Sequence, residues 1–204
     1  MLFRSTQPQP GAQYNQTNVI PFVISVDENA SSVTANVSWD STSQLVTLVF
    51  NGTQWYYNST FSNTTQPGNY NITFSATDTN NNVVTSTSNF TITDILTPSV
   101  GSISPTADTQ YNQSQNINIS VNVTDYYFDS VETVIAQITY PNGTSVNYTL
   151  TEIGNSQIFN NLVFNSTIIG NYNITILAND TSGNLNNTGV SNFTINDTGF
   201  PSIT

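Results

Sequence analysis

Asparagine followed two residues later by serine or threonine, the spacing that marks an acceptor for N-linked glycan, dominates this chain. It occurs 19 times, at Asn15, Asn29, Asn36, Asn51, Asn58, Asn63, Asn71, Asn89, Asn112, Asn118, Asn122, Asn142, Asn147, Asn165, Asn173, Asn179, Asn186, Asn192 and Asn196. With 31 Asn, 32 Thr and 24 Ser in the sequence, chance spacing gives roughly 8 to 9 such triplets. Fifteen of the 19 use Thr, although Thr outnumbers Ser only 32 to 24. The chemistry on offer is attachment of sugar to the side-chain amide nitrogen, which implies a secretory glycosylation system. A structural explanation competes. Residues i and i+2 of a strand share a face, so an outer face of Asn, Thr and Ser creates the spacing without selection. Asn71-Ile72-Thr73, Asn89-Phe90-Thr91, Asn118-Ile119-Ser120 and Asn173-Ile174-Thr175 fit that explanation. About half of the triplets fall in expected loops, including Asn15, Asn51, Asn63, Asn142, Asn165 and Asn186, and these favour glycosylation.

Other chemistry is scarce. The chain has no His, no Cys and no Lys. That removes Ser-His-Asp and Cys-His nucleophiles, thiolate and imidazole metal sites, Schiff bases and disulfides. Asp27-Glu28, Asp125 with Asp129, and Glu132 offer paired carboxylates for acid–base work. They lie at expected strand ends and loops, where Asp is an ordinary turn former. No catalytic residue, cofactor or enzymatic activity is assigned. Asp78, Asp94, Asp180 and Asp197 offer hard oxygen ligands of the kind Ca²⁺ takes. No EF-hand spacing appears, so turn formation is the favoured reading and no metal ligand is assigned. Trp55-Tyr56-Tyr57 and Tyr126-Tyr127-Phe128 are candidates for a sugar-stacking platform, whereas Trp39 is expected in a core.

The elements that must position these residues are strands. The 204 residues suit two domains of about 100 each. Only 6% are charged, the net charge is −11, and Arg4 is the single basic residue. Nucleic acid and anionic lipid both need Lys and Arg, so neither is an expected partner. No apolar run approaches the 18 or so residues of a membrane span, and Met1-Leu2-Phe3-Arg4-Ser5 opens no apolar signal region. Aromatic content of 11% supplies cores, and Asn, Thr and Ser disfavour helix.

The chain repeats itself. Gln13-Tyr14-Asn15-Gln16-Thr17 recurs as Gln110-Tyr111-Asn112-Gln113-Ser114. Gly68-Asn69-Tyr70-Asn71-Ile72-Thr73 recurs as Gly170-Asn171-Tyr172-Asn173-Ile174-Thr175, and Ser88-Asn89-Phe90-Thr91-Ile92 as Ser191-Asn192-Phe193-Thr194-Ile195. Pro98-Ser99-Val100 opens the second copy, and Pro201-Ser202-Ile203 reads as the stub of another. Within each copy, apolar and polar residues alternate: Val33, Ala35, Val37 and Trp39; Ile117, Ile119, Val121 and Val123; Val134, Ala136, Ile138 and Tyr140. Pro141-Asn142-Gly143 then predicts a hairpin with a tight Asn-Gly turn into Val146, Tyr148 and Leu150. Seven or so short strands per copy predict an all-β chain of antiparallel sandwiches.

Gly68-x-Tyr70-x-Ile72-x-Phe74-x-Ala76-x-Asp78 and Gly170-x-Tyr172-x-Ile174-x-Ile176-x-Ala178-x-Asp180 resemble strand F of immunoglobulin-like domains. Asp180-Thr181-Ser182-Gly183-Asn184 resembles the F–G hairpin of such repeats in bacterial and archaeal surface proteins; Asp78 to Asn82 is a looser version. The Lys-free, Asn/Thr/Ser-rich composition is likewise similar to archaeal surface proteins. The resemblance implies two tandem antiparallel Ig-like β-sandwich domains, 1–96 and 97–200, with 201–204 as a stub or donor segment. It implies a tyrosine corner at Tyr70 and at Tyr172, each hydroxyl bonded back to the backbone. It also implies an extracellular structural glycoprotein of a filament, stalk or lattice. The short junction Asp94-Ile95-Leu96-Thr97-Pro98 predicts a stiff rod. The expected partners are copies of the chain itself or neighbouring surface domains, joined head to tail by exchange of a terminal strand (residues 2–8, or Gly199 to Thr204). An adhesin or carbohydrate-binding module of a larger surface protein is the alternative.

Overall fold

The computed structural model describes residues 2–52, 56–126 and 131–199. The chain divides into two compact units, Met1–Ile95 and Leu96–Thr204. Among the described residues the secondary structure is strand and turn throughout. The first unit contains β1 (Phe3–Gln7), β2 (Ala12–Asn15), β3 (Ile20–Val26), β4 (Ser32–Trp39), β5 (Thr42–Phe50), β6 (Tyr56–Phe61), β7 (Gly68–Thr77) and β8 (Val83–Thr93). The second contains β9 (Ser99–Ser104), β10 (Thr109–Asn112), β11 (Ile117–Thr124), β12 (Val131–Thr139), β13 (Ser145–Glu152), β14 (Ile158–Phe164), β15 (Gly170–Asp180) and β16 (Leu185–Asn196).

The two units share one topology. Strand order is β1-β3-β6-β5-β4-β7-β8-β2 in the first and, read from the other end, β9-β11-β14-β13-β12-β15-β16-β10 in the second. The fifth strand of each unit joins two layers. β5 pairs with β4 through Leu48, then turns to β6 with Val49 and Phe50. β13 leaves β12 after Leu150 and meets β14 with Thr151 and Glu152.

The opening segment of each unit also changes layers, so eight strands form where seven were expected. β1 pairs antiparallel with β3, the chain crosses over at Pro8, and β2 then runs parallel to β8. β9, Pro105 and β10 do the same against β11 and β16. A segment that crosses without reversing must meet its second partner in parallel. Each unit is thus an immunoglobulin-like β-sandwich, antiparallel except for that pair.

Alternation decides which way each side chain faces. On β7, Tyr70, Ile72, Phe74 and Ala76 are buried while Asn71 and Thr73 are exposed. On β11, Ile117, Ile119, Val121 and Val123 are buried and Asn118 is exposed. The first core centres on stacked rings: Trp39 lies 5.2 Å from Tyr70, and Tyr70 lies 4.9 Å from Phe90. Phe61 meets Tyr70 and Phe90 edge-on at 6.0 and 6.2 Å. The second core repeats the plan with Tyr172 on Phe193 at 4.9 Å and Phe164 edge-on to Tyr172 at 5.5 Å. Tyr140 stands where Trp39 does, 5.2 Å from Tyr172. Burial, and then the Tyr148 hydroxyl 3.1 Å away, pushes the Tyr140 phenol up to about 12.

Both sequence-assigned tyrosines bond back to the backbone. The Tyr70 hydroxyl donates to the Gln66 carbonyl at 2.8 Å, and that of Tyr172 to the Ile168 carbonyl at 2.8 Å. Tyr172 also shares a 2.7 Å hydrogen bond with the buried Ser166 hydroxyl. Ile72 and Ile174, both buried, follow two residues later, where antibody-type domains carry their second cysteine.

Removing the Tyr172 hydroxyl takes one partner from the buried Ser166 hydroxyl, which keeps its bond from Ile168 N at 3.1 Å, and takes the donor from the Ile168 carbonyl. Tyr172→Phe is expected to destabilise the second unit by about 1–3 kcal/mol. Differential scanning calorimetry checks this; an unchanged second transition would show the hydroxyl to be idle.

Candidate glycan-bearing surface and the turns that frame it

All 19 sequon asparagines lie among the described residues, and none is buried. Fourteen are exposed and five, Asn122, Asn179, Asn186, Asn192 and Asn196, are half-buried. The expected even split between strands and loops is corrected. Only Asn29, Asn51, Asn63, Asn142 and Asn165 lie outside strands. Asn15 instead ends β2, and Asn186 lies within β16. Asn favours turns in isolation, but on an outward strand face its side chain stays clear of the core, Thr suits a strand, and the ladder holds the backbone extended.

The repeated Gln-Tyr-Asn-Gln motif is a clamp. Gln16 is buried; its Nε2 donates to the Thr65 carbonyl at 2.8 Å and its Oε1 accepts from Ile95 N at 3.2 Å. In the second unit Gln113 Nε2 donates to the Thr167 carbonyl at 2.8 Å. The next residues, Thr17 and Ser114, both adopt left-handed backbone, at φ 65° and 62°. They donate from their backbone N–H to the Thr64 and Ser166 carbonyls. The sequons beginning at Asn15 and Asn112 thus have their hydroxyl residue inside a fixed turn. Sequence spacing alone gave no sign of these partners, some 50 residues away.

The hairpins after β7 and β15 are twins. Asp78 Oδ1 accepts from the backbone N–H of Asn80 and Asn82, at 2.7 and 2.9 Å, and Oδ2 from Asn82 Nδ2 at 2.8 Å. Asp180 receives the same bonds from Ser182 N, Asn184 N and Asn184 Nδ2, at 2.8–2.9 Å. Asn81 at φ 65° takes the place of Gly183 at φ 89°, since Asn tolerates left-handed backbone. The looser first copy therefore closes the same three-residue loop. Hydrogen bonds from the Asn82 side chain, then from its backbone N–H, hold the Asp78 carboxyl below its ordinary value of 3.8.

The hairpin at Pro141-Asn142-Gly143 also has three loop residues rather than a two-residue Asn-Gly turn. Tyr140 N donates to the Thr144 carbonyl at 2.8 Å and Gly143 N to the Tyr140 carbonyl at 2.9 Å, with Gly143 at φ 85°. Left-handed glycine at the third position closes a loop of this length.

Other carboxylates accept single hydrogen bonds. Asp27 Oδ1 accepts from Leu2 N at 2.7 Å, Asp197 Oδ1 from Gly199 N at 2.7 Å, and Glu132 Oε2 from Asn179 Nδ2 at 3.3 Å. Glu28 is exposed and Asp94 half-buried. Asp125 accepts from Tyr126 N. Of the aromatics, Trp39 and Tyr57 belong to the core, and Tyr57 hydrogen-bonds Ala30 and Asn29. Tyr56 is half-buried and Tyr126 exposed. Trp55, Tyr127, Phe128, Asp129 and the stub 201–204 lie outside the described residues.

No family model matches the sequence, and no curated protein matches it. Among solved structures the chain is similar to the fibronectin(III)-like modules of Clostridium thermocellum CbhA, at 13% identity over 98% of each chain with a TM-score of 0.41. It is also similar to a tetra-tandem repeat from the extending region of a large adhesion protein, at 20% identity and a TM-score of 0.49. That likeness covers 89% of this chain and 46%, about half, of the other. A third similar structure is the titin Z1Z2 pair in complex with telethonin, at 14% identity over 98% of each chain and a TM-score of 0.37.

The lowered Asp78 carboxyl fixes a sign. Its contribution to stability is complete above the ordinary value of 3.8 and is lost as the pH falls through the lower native value. Asn82→Ala is expected to move the Asp78 titration upward toward 3.8, as followed by carboxyl-carbon NMR. A titration that stays in place would show that Asn82 does not hold the carboxylate.

Proposed function

We propose that the chain is a structural, non-enzymatic segment of an extracellular surface filament, stalk or lattice, assembled head to tail and coated with N-linked glycan. The observation that carries this reading is the outward placement of every sequon asparagine on sandwiches nearly devoid of charge. Uncharged edge strands pair readily with other chains unless something blocks them. β5 forms the edge of each layer it joins, pairing with β4 through Leu48 and with β6 at Val49 and Phe50, and its Leu45 is 65% and Val49 67% exposed. Their cross-strand partners are the sequon residues Asn36 and Asn58. Asn118 likewise pairs with Val163, which is 63% exposed. Glycans there would cover the apolar side chains and supply the hydration that Lys and Glu give other surfaces.

β1 is the strand that head-to-tail assembly would exchange. It lies at the end of the strand order, has five residues, and among the described residues pairs with β3 alone. Replacing it by the same segment of a neighbouring copy disturbs little else, and backbone hydrogen bonds would carry the joint.

Negative-stain electron microscopy of natively isolated protein tests the reading. Uniform filaments are expected, and deletion of residues 1–10 is expected to abolish them. Filaments that persist after the deletion would overturn strand exchange. Separate particles at every concentration would overturn self-assembly, and saturable binding on a glycan array would then favour an adhesin.

A further inference from the structure

The sequons differ in what their two polar side chains already do. Along a strand, residues two apart are separated by about 6.7 Å. The asparagine amide and the Ser/Thr hydroxyl then face outward side by side and do not meet. At the tip between β12 and β13 the chain folds back and they do meet. Asn142 Oδ1 accepts from Thr144 Oγ1 at 2.7 Å and from Thr144 N at 3.0 Å. The hydroxyl that defines the sequon is thus set on the asparagine's own amide in the folded state. Asn142 is exposed, and among the described residues its Nδ2 donates no hydrogen bond.

Three other sequons use an asparagine side-chain atom to hold a distant part of the backbone. Asn186 makes the same bonds where the register of β16 shifts against β15, with Thr188 N and Oγ1 each 2.8 Å from its Oδ1, but its Nδ2 donates to the Pro98 carbonyl at 2.7 Å. Asn89 Oδ1 accepts from Gly11 N at 2.6 Å, and its partner Thr91 donates its hydroxyl to Asn69 Oδ1 at 3.0 Å. Asn192 and Thr194 repeat both bonds, to Asp108 N at 2.6 Å and to Asn171 Oδ1 at 2.8 Å. Gly11 and Asp108 sit in left-handed backbone at φ 78° and 64°, where the opening segment changes layers. Asn89 and Asn192 therefore pin that crossover to the last strand of each sandwich.

We propose that Asn142 is the principal glycan acceptor of the folded chain, and that Asn89, Asn186 and Asn192 are structural asparagines that stay unmodified. This rests on the glycosylation reading above. The donor is an oligosaccharide linked through phosphate to a lipid. Asn142 Nδ2 bonds to the anomeric carbon and the carbon–oxygen bond to the phosphate breaks. The lipid phosphate leaves with the electron pair, and one amide proton passes to a base of the transferase. Asn165 and Asn196 also commit their Nδ2, Asn165 to the Ser114 carbonyl at 2.8 Å and to Asn116 Oδ1 at 3.0 Å, and Asn196 to Gln110 Oε1 at 3.0 Å.

Intact-glycopeptide mass spectrometry of natively isolated protein is the test, with chymotrypsin for cleavage because Arg4 is the only basic residue. Glycan is expected on Asn142 and absent from Asn89, Asn186 and Asn192. Glycan on any of those three, or a bare Asn142 beside other occupied sites, would overturn the assignment while leaving glycosylation standing. Nineteen bare sequons would overturn the glycosylation reading itself. In unglycosylated recombinant chain, Asn89→Ala is expected to lower the melting temperature of the first unit by about 4 °C or more. Asn89→Asp, which keeps the acceptor oxygen, is expected to retain it. Equal melting of both variants and the parent would overturn the structural role of Asn89.

Discussion

With one cation against twelve carboxylates, this chain has almost no ion pairs to draw on. Neutral amides and hydroxyls must both hydrate its surface and close its turns. The two tasks compete for the same atoms. A typical neutral hydrogen bond contributes about 1 kcal/mol net, whereas a buried polar group left unmet costs about 1–3 kcal/mol. The penalty for error thus exceeds the reward for any one bond, and the buried polar side chains have defined partners. Gln16 bonds at both ends of its amide, and the buried Ser88 and Ser191 hydroxyls reach the Pro8 and Pro105 carbonyls at 2.6 and 2.7 Å. Outward-facing Asn, Thr and Ser can exchange protein partners for water. They are the residues left over for decoration.

The core obeys the same economy without cysteine. A disulfide closing a loop of some 50 residues would contribute about 4 kcal/mol by chain entropy. Here, rings from four different strands converge in the first unit: Trp39 of β4, Phe61 of β6, Tyr70 of β7 and Phe90 of β8. Each well-oriented aromatic pair adds about 0.5–1.5 kcal/mol beyond the area it buries. The Trp39–Tyr70, Tyr70–Phe90, Phe61–Tyr70 and Phe61–Phe90 contacts together reach the scale of one disulfide. They also tie strands of both layers. The tyrosine corner adds direction, because its hydroxyl fixes the loop that leads into β7.

The strands were legible because one face of each is filled with apolar residues at period two. β4, β7, β11, β12 and β15 all run through the alternations visible in the sequence. What was not legible depends on partners distant in sequence or on the sense of a strand. Nothing near Pro8 or Pro105 says that the chain changes layers there, so the eighth strand and its parallel pairing were missed. The Gln16 clamp joins residues 49 positions apart. The Asn-Gly pair at 142–143 suggested a two-residue turn, but Tyr140 and Thr144 close the ladder one residue wider. Asn15 and Asn186 looked like loop residues because their own preferences favour turns, and the adjoining ladders override that preference.

The two copies serve as an internal comparison that separates structure from decoration. Two of the polar devices that hold the sandwich recur in both copies although their neighbours change. Asn89 meets a glycine and Asn192 an aspartate, at the same 2.6 Å. Asp78 and Asp180 close the same turn around different residues. The β4–β5 and β12–β13 tips behave otherwise. The first copy connects Trp39 to Thr42 through Asp40-Ser41, with Asp40 at φ 47° and no sequon. The second spends an extra residue and presents Asn142-Gly143-Thr144. A sandwich of this design closes that hairpin without an asparagine amide, so packing does not require Asn142. A feature that the fold can omit, yet one copy presents in a geometry suited to a second reaction, is better explained by what acts on the surface than by what holds the core.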